Sequence, residues 1–226
     1  APLRLGSWGA ALRRMGIRYA VMVGRLDKAK VLHSWMAILR NTPDIRTLRL
    51  FLRLRQDRRS HVILAAVARE LDKDGVQLID STAHIPDHLA GLGVMTDRQP
   101  TARQRSDIDL GWPLLREMLR LDIGQSMAVR EGDVIAVEAV EGTDRMIERA
   151  GQLCASGGWT LLKGARVGHD RRSDVPTIGP DTIHNLHQAG GRCIAVAAED
   201  VIIIDKPQTI ALADRLGVAI VGIAST

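Results

Sequence analysis

Aromatic side chains are nearly missing from this chain: one tyrosine, one phenylalanine and four tryptophans among 226 residues. The shortage removes the stacking platforms by which proteins hold single-stranded nucleic acid. It also leaves Leu, Ile, Val and Ala to build the core, and a hydrophobic fraction of 46% is enough for one. Cysteine is equally scarce. Cys154 and Cys193 stand in no CxxC and no Cys/His cluster, which argues against zinc and reads as two buried thiols in a reducing compartment. No uncharged run approaches the ~18 residues of a spanning helix. Arg4, Arg13, Arg14 and Arg18 interrupt any apolar leader at the start. The expectation is a cytosolic chain that meets a membrane only peripherally. Neither GxGxxG nor GxxxxGK[ST] occurs, so the common dinucleotide and P-loop readings fall. GxSxG is missing as well, as is the histidine-and-aspartate pattern of a two-metal phosphoesterase.

What the chain does contain is alternating helical and strand-like patterning. A net charge of +5 favours an anionic partner, either phosphates or a bilayer surface. Leu5, Trp8, Leu12 and Met15 recur at helical spacing, Gly16 supplies a stop, and Tyr19 to Val23 reads as a buried strand. Residues 28–56 are helical in tone, broken at Asn41-Thr42-Pro43. In the second piece Arg46, Arg49, Arg53 and Arg55 interleave with Leu48, Leu50, Phe51, Leu52 and Leu54. That piece is either an interfacial helix for an acidic lipid surface or an amphipathic helix packed on the domain. A helix from His61 to Asp74 ends at Gly75, and Val76 to Ile79 follows as a strand.

Proline and glycine cluster between Asp80 and Arg105, so a boundary is placed near 98–104. Beyond it come a helix over Asp107 to Arg120 and two strands turning at Glu131-Gly132-Asp133. A helix N-capped by Thr143 and a strand over Trp159 to Leu162 follow. Pro180 opens another helix, a hairpin runs from Cys193 to Ile204 across Glu199-Asp200, and the chain closes with a helix from Pro207 and a strand over Val218 to Ile223. The fold class is α/β in two domains: residues 1–98, Rossmann-like with a first strand and turn apparently missing, and residues 104–226, a mixed-sheet α/β domain.

One loop concentrates charge of both signs: Lys163 to Thr182, KGARVGHDRRSDVPTIGPDT. Arginines fork onto phosphate oxygens and carboxylates hold water or metal, so the loop suggests a phosphate-ester or pyrophosphate site. The alternative is a solvated loop whose charges pair with one another. Two further polar clusters, Asp122/Gln125 and Glu141/Thr143/Asp144, stand at element ends, where α/β proteins build sites. Each has a structural reading as a cap or helix start.

LDIGQ (121–125), AVEAVEGTDRMI (136–147), HDRRSDVPTIGPDTI (169–183) and ALADRLGVAIVGI (211–223), in this order, resemble one family: the UDP-2,3-diacylglucosamine pyrophosphatases of lipid A biosynthesis, the type distinct from the calcineurin-like metallophosphoesterases. ARELDKDGVQLID (68–80) is a looser match in the first half. The resemblance implies an enzyme at the cytoplasmic side of the inner membrane, peripheral to it and dimeric. It would hydrolyse UDP-2,3-diacylglucosamine to UMP and 2,3-diacylglucosamine 1-phosphate (lipid X) with Mg2+. By the same resemblance Asp174, in SDVPTIG, is catalytic; Asp122, Glu141, Asp144 and Asp170 are candidates for metal or water. Lys163 and Arg172 clamp the pyrophosphate, and Gln125, Thr143, His169 and Thr177 contact substrate. The chain departs from the family in lacking a GLIAGxGxLP-like opening, in carrying Ser60-His61 where paired aspartates are usual, and in placing His169 where a glutamine is expected. Two other readings are carried: a non-catalytic relative that binds a nucleotide-sugar or lipid, and a basic nucleic-acid module motivated by charge alone.

Overall fold

A computed structural model describes residues 4–22, 43–57, 59–172 and 175–224, with the backbone alone at 60 and 61. The expected helix over 28–42, the end of the strand at Val23, and Asp174 lie outside the described residues. The chain divides into two compact units. Residues up to 84 together with 169–172 make one; residues 85–168 and 175–224 make the other. The linker read at 98–104 therefore falls within the second unit, because the extended segment before it is already tied to that unit's sheet.

In the first unit a single carboxylate starts two helices. The Asp44 side chain accepts from Thr47 N (2.8 Å) at the head of α2 (Ile45–Arg53) and from Gly6 N (2.7 Å) at the head of α1 (Leu5–Arg14), satisfying amides that each helix leaves without an internal partner. Arg46 then bonds Glu70 (2.7 Å) and Asp74, fastening α2 to α3 (Ser60–Asp72). β1 (Tyr19–Ala20) and β2 (Gln77–Leu78) pair in parallel. Ala68, Leu71, Val76 and Leu78 form one small core cluster, and Leu5, Leu50 and Ala66 another. Trp8 and Met15, expected on the apolar face of α1, stand exposed instead.

The second unit is built on a mixed six-stranded sheet of order β3-β10-β8-β6-β4-β5, as the patterning predicts for this half. Its strands are β3 (Gly93–Val94), β4 (Ser126–Arg130), β5 (Asp133–Val137), β6 (Thr160–Lys163), β8 (Cys193–Ala197) and β10 (Ala219–Ile223). β6, β8 and β10 are parallel and the others antiparallel. α4 (Ala102–Arg120) starts earlier than predicted because Thr101 and Gln104 close a capping box. It crosses the sheet where Gly111 approaches Leu162 and Val129; a Cβ there would lie 2.4 Å from the Leu162 side chain. α5 (Thr143–Leu153), α6 (Pro180–Gln188) and α7 (Lys206–Leu216) complete the unit, and Gly217 ends α7 in the left-handed conformation. The β4–β5 turn uses Glu131 and Gly132, both at positive φ, which matches the twist of the strands.

The hairpin expected over 193–204 does not form. β8 already has β6 on one side and β10 on the other, so neither edge is open to a returning strand. The chain instead leaves the sheet at Glu199, and β9 (Ile202–Ile203) pairs in parallel with β7 (Thr177–Ile178). Trp159 is fully buried, its indole N–H donating to Ala189 O at 3.0 Å.

Both cysteines are buried free thiols, as expected. Burial pushes the Cys193 thiol up to about 12, so almost no thiolate exists near neutrality. In the native chain Cys193 is therefore expected to resist iodoacetamide at pH 8 for hours and to react within minutes in guanidinium. Mass spectrometry of the peptide carrying it checks this, and rapid native labelling would contradict the packing of β8.

Candidate functional site

Strand register assembles the central cluster of the second unit. Ser126 pairs with Lys163 across β4–β6. Met127 pairs with Val137 across β4–β5, and Glu138 N donates to Ser126 O (2.8 Å), which places Glu138 beside Ser126. Directly opposed residues share a face, so Glu138, Ser126 and Lys163 stand in one row at the carboxyl end of β6. Thr143 joins the row from the first turn of α5. All four side chains are buried, Lys163 at 3% exposure and Ser126 at none.

Their hydrogen bonds run in one direction. Lys163 Nζ donates to Thr143 Oγ1 (2.8 Å), and Thr143 Oγ1 donates to Glu138 Oε2 (3.0 Å). The Ser126 hydroxyl donates to the same carboxylate oxygen and lies 3.2 Å from Thr143 Oγ1. A cation and a carboxylate in a place this dry are tolerable only when bonded together in this way. Thr143 is thus not the N-cap predicted for α5. That place belongs to Gly142 at φ +84, and the Thr143 hydroxyl is committed to the network.

Loops around this edge bring in other predicted residues. Gln125 precedes Ser126, and its carbonyl accepts from Gly164 N (3.0 Å). Asp122 ends α4 in the left-handed conformation. Glu141 accepts from Arg149 Nη2 (2.6 Å) and Ala139 N (3.2 Å). Burial works to raise its carboxyl, but these hydrogen bonds outweigh burial and hold it below the usual carboxylate range. Asp144 occupies the first turn of α5, on the favourable side of the helix dipole. Thr177 lies on β7, where its hydroxyl donates to Val175 O (3.1 Å). On the α4 side, a cavity of about 400 Å3 opens between helix and loop, with Trp112, Leu115 and Leu119 as apolar lining and Arg116, Arg120 and Arg166 among its cations.

The remaining candidates gather in the first unit, after β2. Asp80 Oδ1 accepts from the Thr82 hydroxyl and N–H, both at 2.7 Å. Ser81 donates to Arg171 O through N (3.0 Å) and Oγ (2.7 Å), fixing the 169–172 segment. Burial raises the Asp80 carboxyl, but Thr82, Arg171 and His169 together hold it low. Arg172 forks onto Asp170, with Nε to Oδ1 at 2.8 Å and Nη2 to Oδ2 at 2.7 Å. That hydrogen bonding, against burial, keeps the Asp170 carboxyl below its ordinary value.

Sequence reasoning thus named Lys163 and Thr143 but missed Glu138, Ser126 and Asp80. The fit of these residues to a magnesium ion can be judged from their partners. Among the described residues no three Asp, Glu, His or Cys side chains converge as ligands, Asp170 is forked by Arg172, and Glu141 is taken by Arg149. The described donor set does not fit a magnesium centre.

Two α/β units, each carrying a bonded polar cluster just past the carboxyl end of a parallel strand, define the class of α/β proteins that hold ligands at strand ends. Two domain models match this chain, the LpxI C-terminal domain over residues 91–221 and the LpxI N-terminal domain over residues 2–88. The UDP-2,3-diacylglucosamine pyrophosphatase LpxI of Caulobacter vibrioides is 33% identical over 235 residues, spanning 99% of this chain and 81% of that protein. The chain belongs to the LpxI family.

Proposed function

We propose that this chain hydrolyses the pyrophosphate of UDP-2,3-diacylglucosamine, releasing UMP and 2,3-diacylglucosamine 1-phosphate. The observation that carries this reading is the family match across both halves of the chain, with a relative of that name at 33% identity. In the reaction, water adds to one phosphorus and the bridging oxygen leaves with the other. The charge that builds on the phosphoryl oxygens needs preorganised cations and donors. Lys163 supplies the cation, held in place by Thr143 and Glu138. The opening amides of α5 add a positive helix end beside it. Asp174 is the carboxylate assigned to orient water. The apolar cavity with arginines around it suits an amphiphilic substrate that carries both acyl chain and phosphate.

Dependence on Mg2+ is proposed from the family resemblance alone, and no step is assigned to the ion. A homodimer working at the cytoplasmic face of the inner membrane belongs to the same reading. Among the described residues no helix is long and apolar enough to cross a membrane.

A second reading, a non-catalytic nucleotide-sugar or lipid binder, draws on the Arg172–Asp170 fork, which occupies a cation expected to clamp phosphate. The deciding experiment measures UMP release from UDP-2,3-diacylglucosamine by the full chain, with Mg2+, with EDTA and as Asp174→Ala. Release that vanishes with EDTA and in the variant, while the variant still binds UDP, is expected. UDP binding by the wild-type chain without any release would overturn the hydrolase reading in favour of the binder.

A further inference from the structure

We propose that the outward face of α2 docks this protein onto an anionic bilayer. α2 is held from within: Thr47 and Leu50 are buried, Asp44 caps the helix, and Arg46 bonds Glu70 and Asp74. The opposite face carries three large apolar side chains in the open, Ile45 at 70% exposure, Leu48 at 50% and Leu52 at 61%. Their spacing of three and four residues aligns them in one stripe along the helix. Arg49 and Arg53 follow one border of the stripe and Arg55 lies beyond its end, all exposed. No acidic residue occurs from 45 to 55, and Asp44 is turned inward to the amides it caps.

An apolar stripe bordered by exposed arginines, on a helix with its other face already packed, is the form of a helix lying in a membrane interface. The leucines enter the acyl boundary while the guanidiniums stay at headgroup level, where phosphate oxygens accept their hydrogen bonds. Two other occupants fit worse. A second copy pairing through this face about a twofold axis would bring arginine rows toward arginine rows, with no carboxylate in the segment to separate them. A single-stranded nucleic acid would need aromatic platforms, and none stands in the stripe. The choice of a bilayer rests on the proposed function, because a diacylated substrate resides in one; the helix geometry stands independently of it.

The test mixes the full chain with sedimentable phosphatidylcholine vesicles, with and without 30 mole per cent phosphatidylglycerol. Wild-type protein is expected to sediment with the anionic vesicles and to be released by raised salt. Leu48→Asp/Leu52→Asp and Arg49→Gln/Arg53→Gln are each expected to weaken partitioning at least tenfold. Circular dichroism and UMP release from detergent-dispersed substrate should be unchanged in both, because these side chains point away from the unit's core. Variants that bind anionic vesicles like wild type overturn the proposal, as does wild type that binds neither vesicle or both equally. A concentration-dependent dimer lost in the leucine variant would assign the face to a second copy and overturn it too. Vesicle binding through α2 by a chain that releases no UMP would remove the pyrophosphatase reading and leave the docking face standing.

Discussion

Lys163→Met is expected to lower kcat for UMP release by about a thousandfold while the chain keeps its native circular dichroism. Methionine preserves most of the stem that passes through the buried edge of the sheet and removes only the amine and its bonds. That amine donates to Thr143 at 2.8 Å, and through Thr143 it is tied to Glu138. A cation fixed in this way costs no reorganisation when charge develops on a phosphoryl oxygen, and loss of one such preorganised group typically removes about 10²–10³ of the rate. Glu138→Gln is the companion. It keeps the shape and the acceptor oxygen but removes the charge, so its effect should fall on kcat, with KM close to wild type. Steady-state kinetics on both variants check this. Lys163→Met within about threefold of wild type would make the network a structural plug, and the phosphate-contacting cation would have to be sought elsewhere.

The network also shows how far the sequence carries. Lys163 and Thr143 were accessible because they lie in motifs that resemble a family. Glu138 and Ser126 were not, because their meaning depends on which strands become neighbours. Ser126 meets Lys163 across 37 positions of chain only when β4 pairs with β6, a non-local choice that no window of residues contains. A signal for Glu138 was nonetheless present. In a strand of period two it shares a face with Ala136, which is buried, so alternation already placed a carboxylate inward. The hairpin read over 193–204 failed for the converse reason. Two apolar runs with a short polar link look alike whether they pair with each other or with distant strands, and here β8 takes β6 and β10. Helices were more legible than strands, since caps such as Gly75, Gly217 and Pro180 act within a few residues of the ends they mark. The interleaved arginines and leucines of α2 left two readings open in sequence. Packing separates them by residue: Leu50 goes inward, Leu48 and Leu52 outward.

Gly124→Ala is expected to cost roughly 2–4 kcal/mol and most of the activity. A Cβ at residue 124 would stand 2.1 Å from the Glu138 carbonyl oxygen and 2.7 Å from its carbon. Those are backbone atoms, so no side-chain rotation relieves the overlap; the 121–125 loop must draw away from the end of β5. That movement pulls on both sides of the network, since Gln125 O holds Gly164 N and Ser126 O holds Glu138 N. The strain is purely steric, because Gly124 is not among the residues with positive φ. Gly132→Ala supplies the contrast. Its φ of +80 disfavours a side chain, yet the nearest atom to a new Cβ is Leu110 Cδ1 at 3.9 Å, so it should cost only about 1 kcal/mol, the intrinsic penalty of the conformation. Thermal melts should separate the two by several degrees, at roughly 2–4 °C per kcal/mol for a chain of this size, and only Gly124→Ala should lose UMP release. Equal melts would mean that the loop yields without disturbing β5, and that the close approach at Gly124 does not hold the edge of the sheet in place.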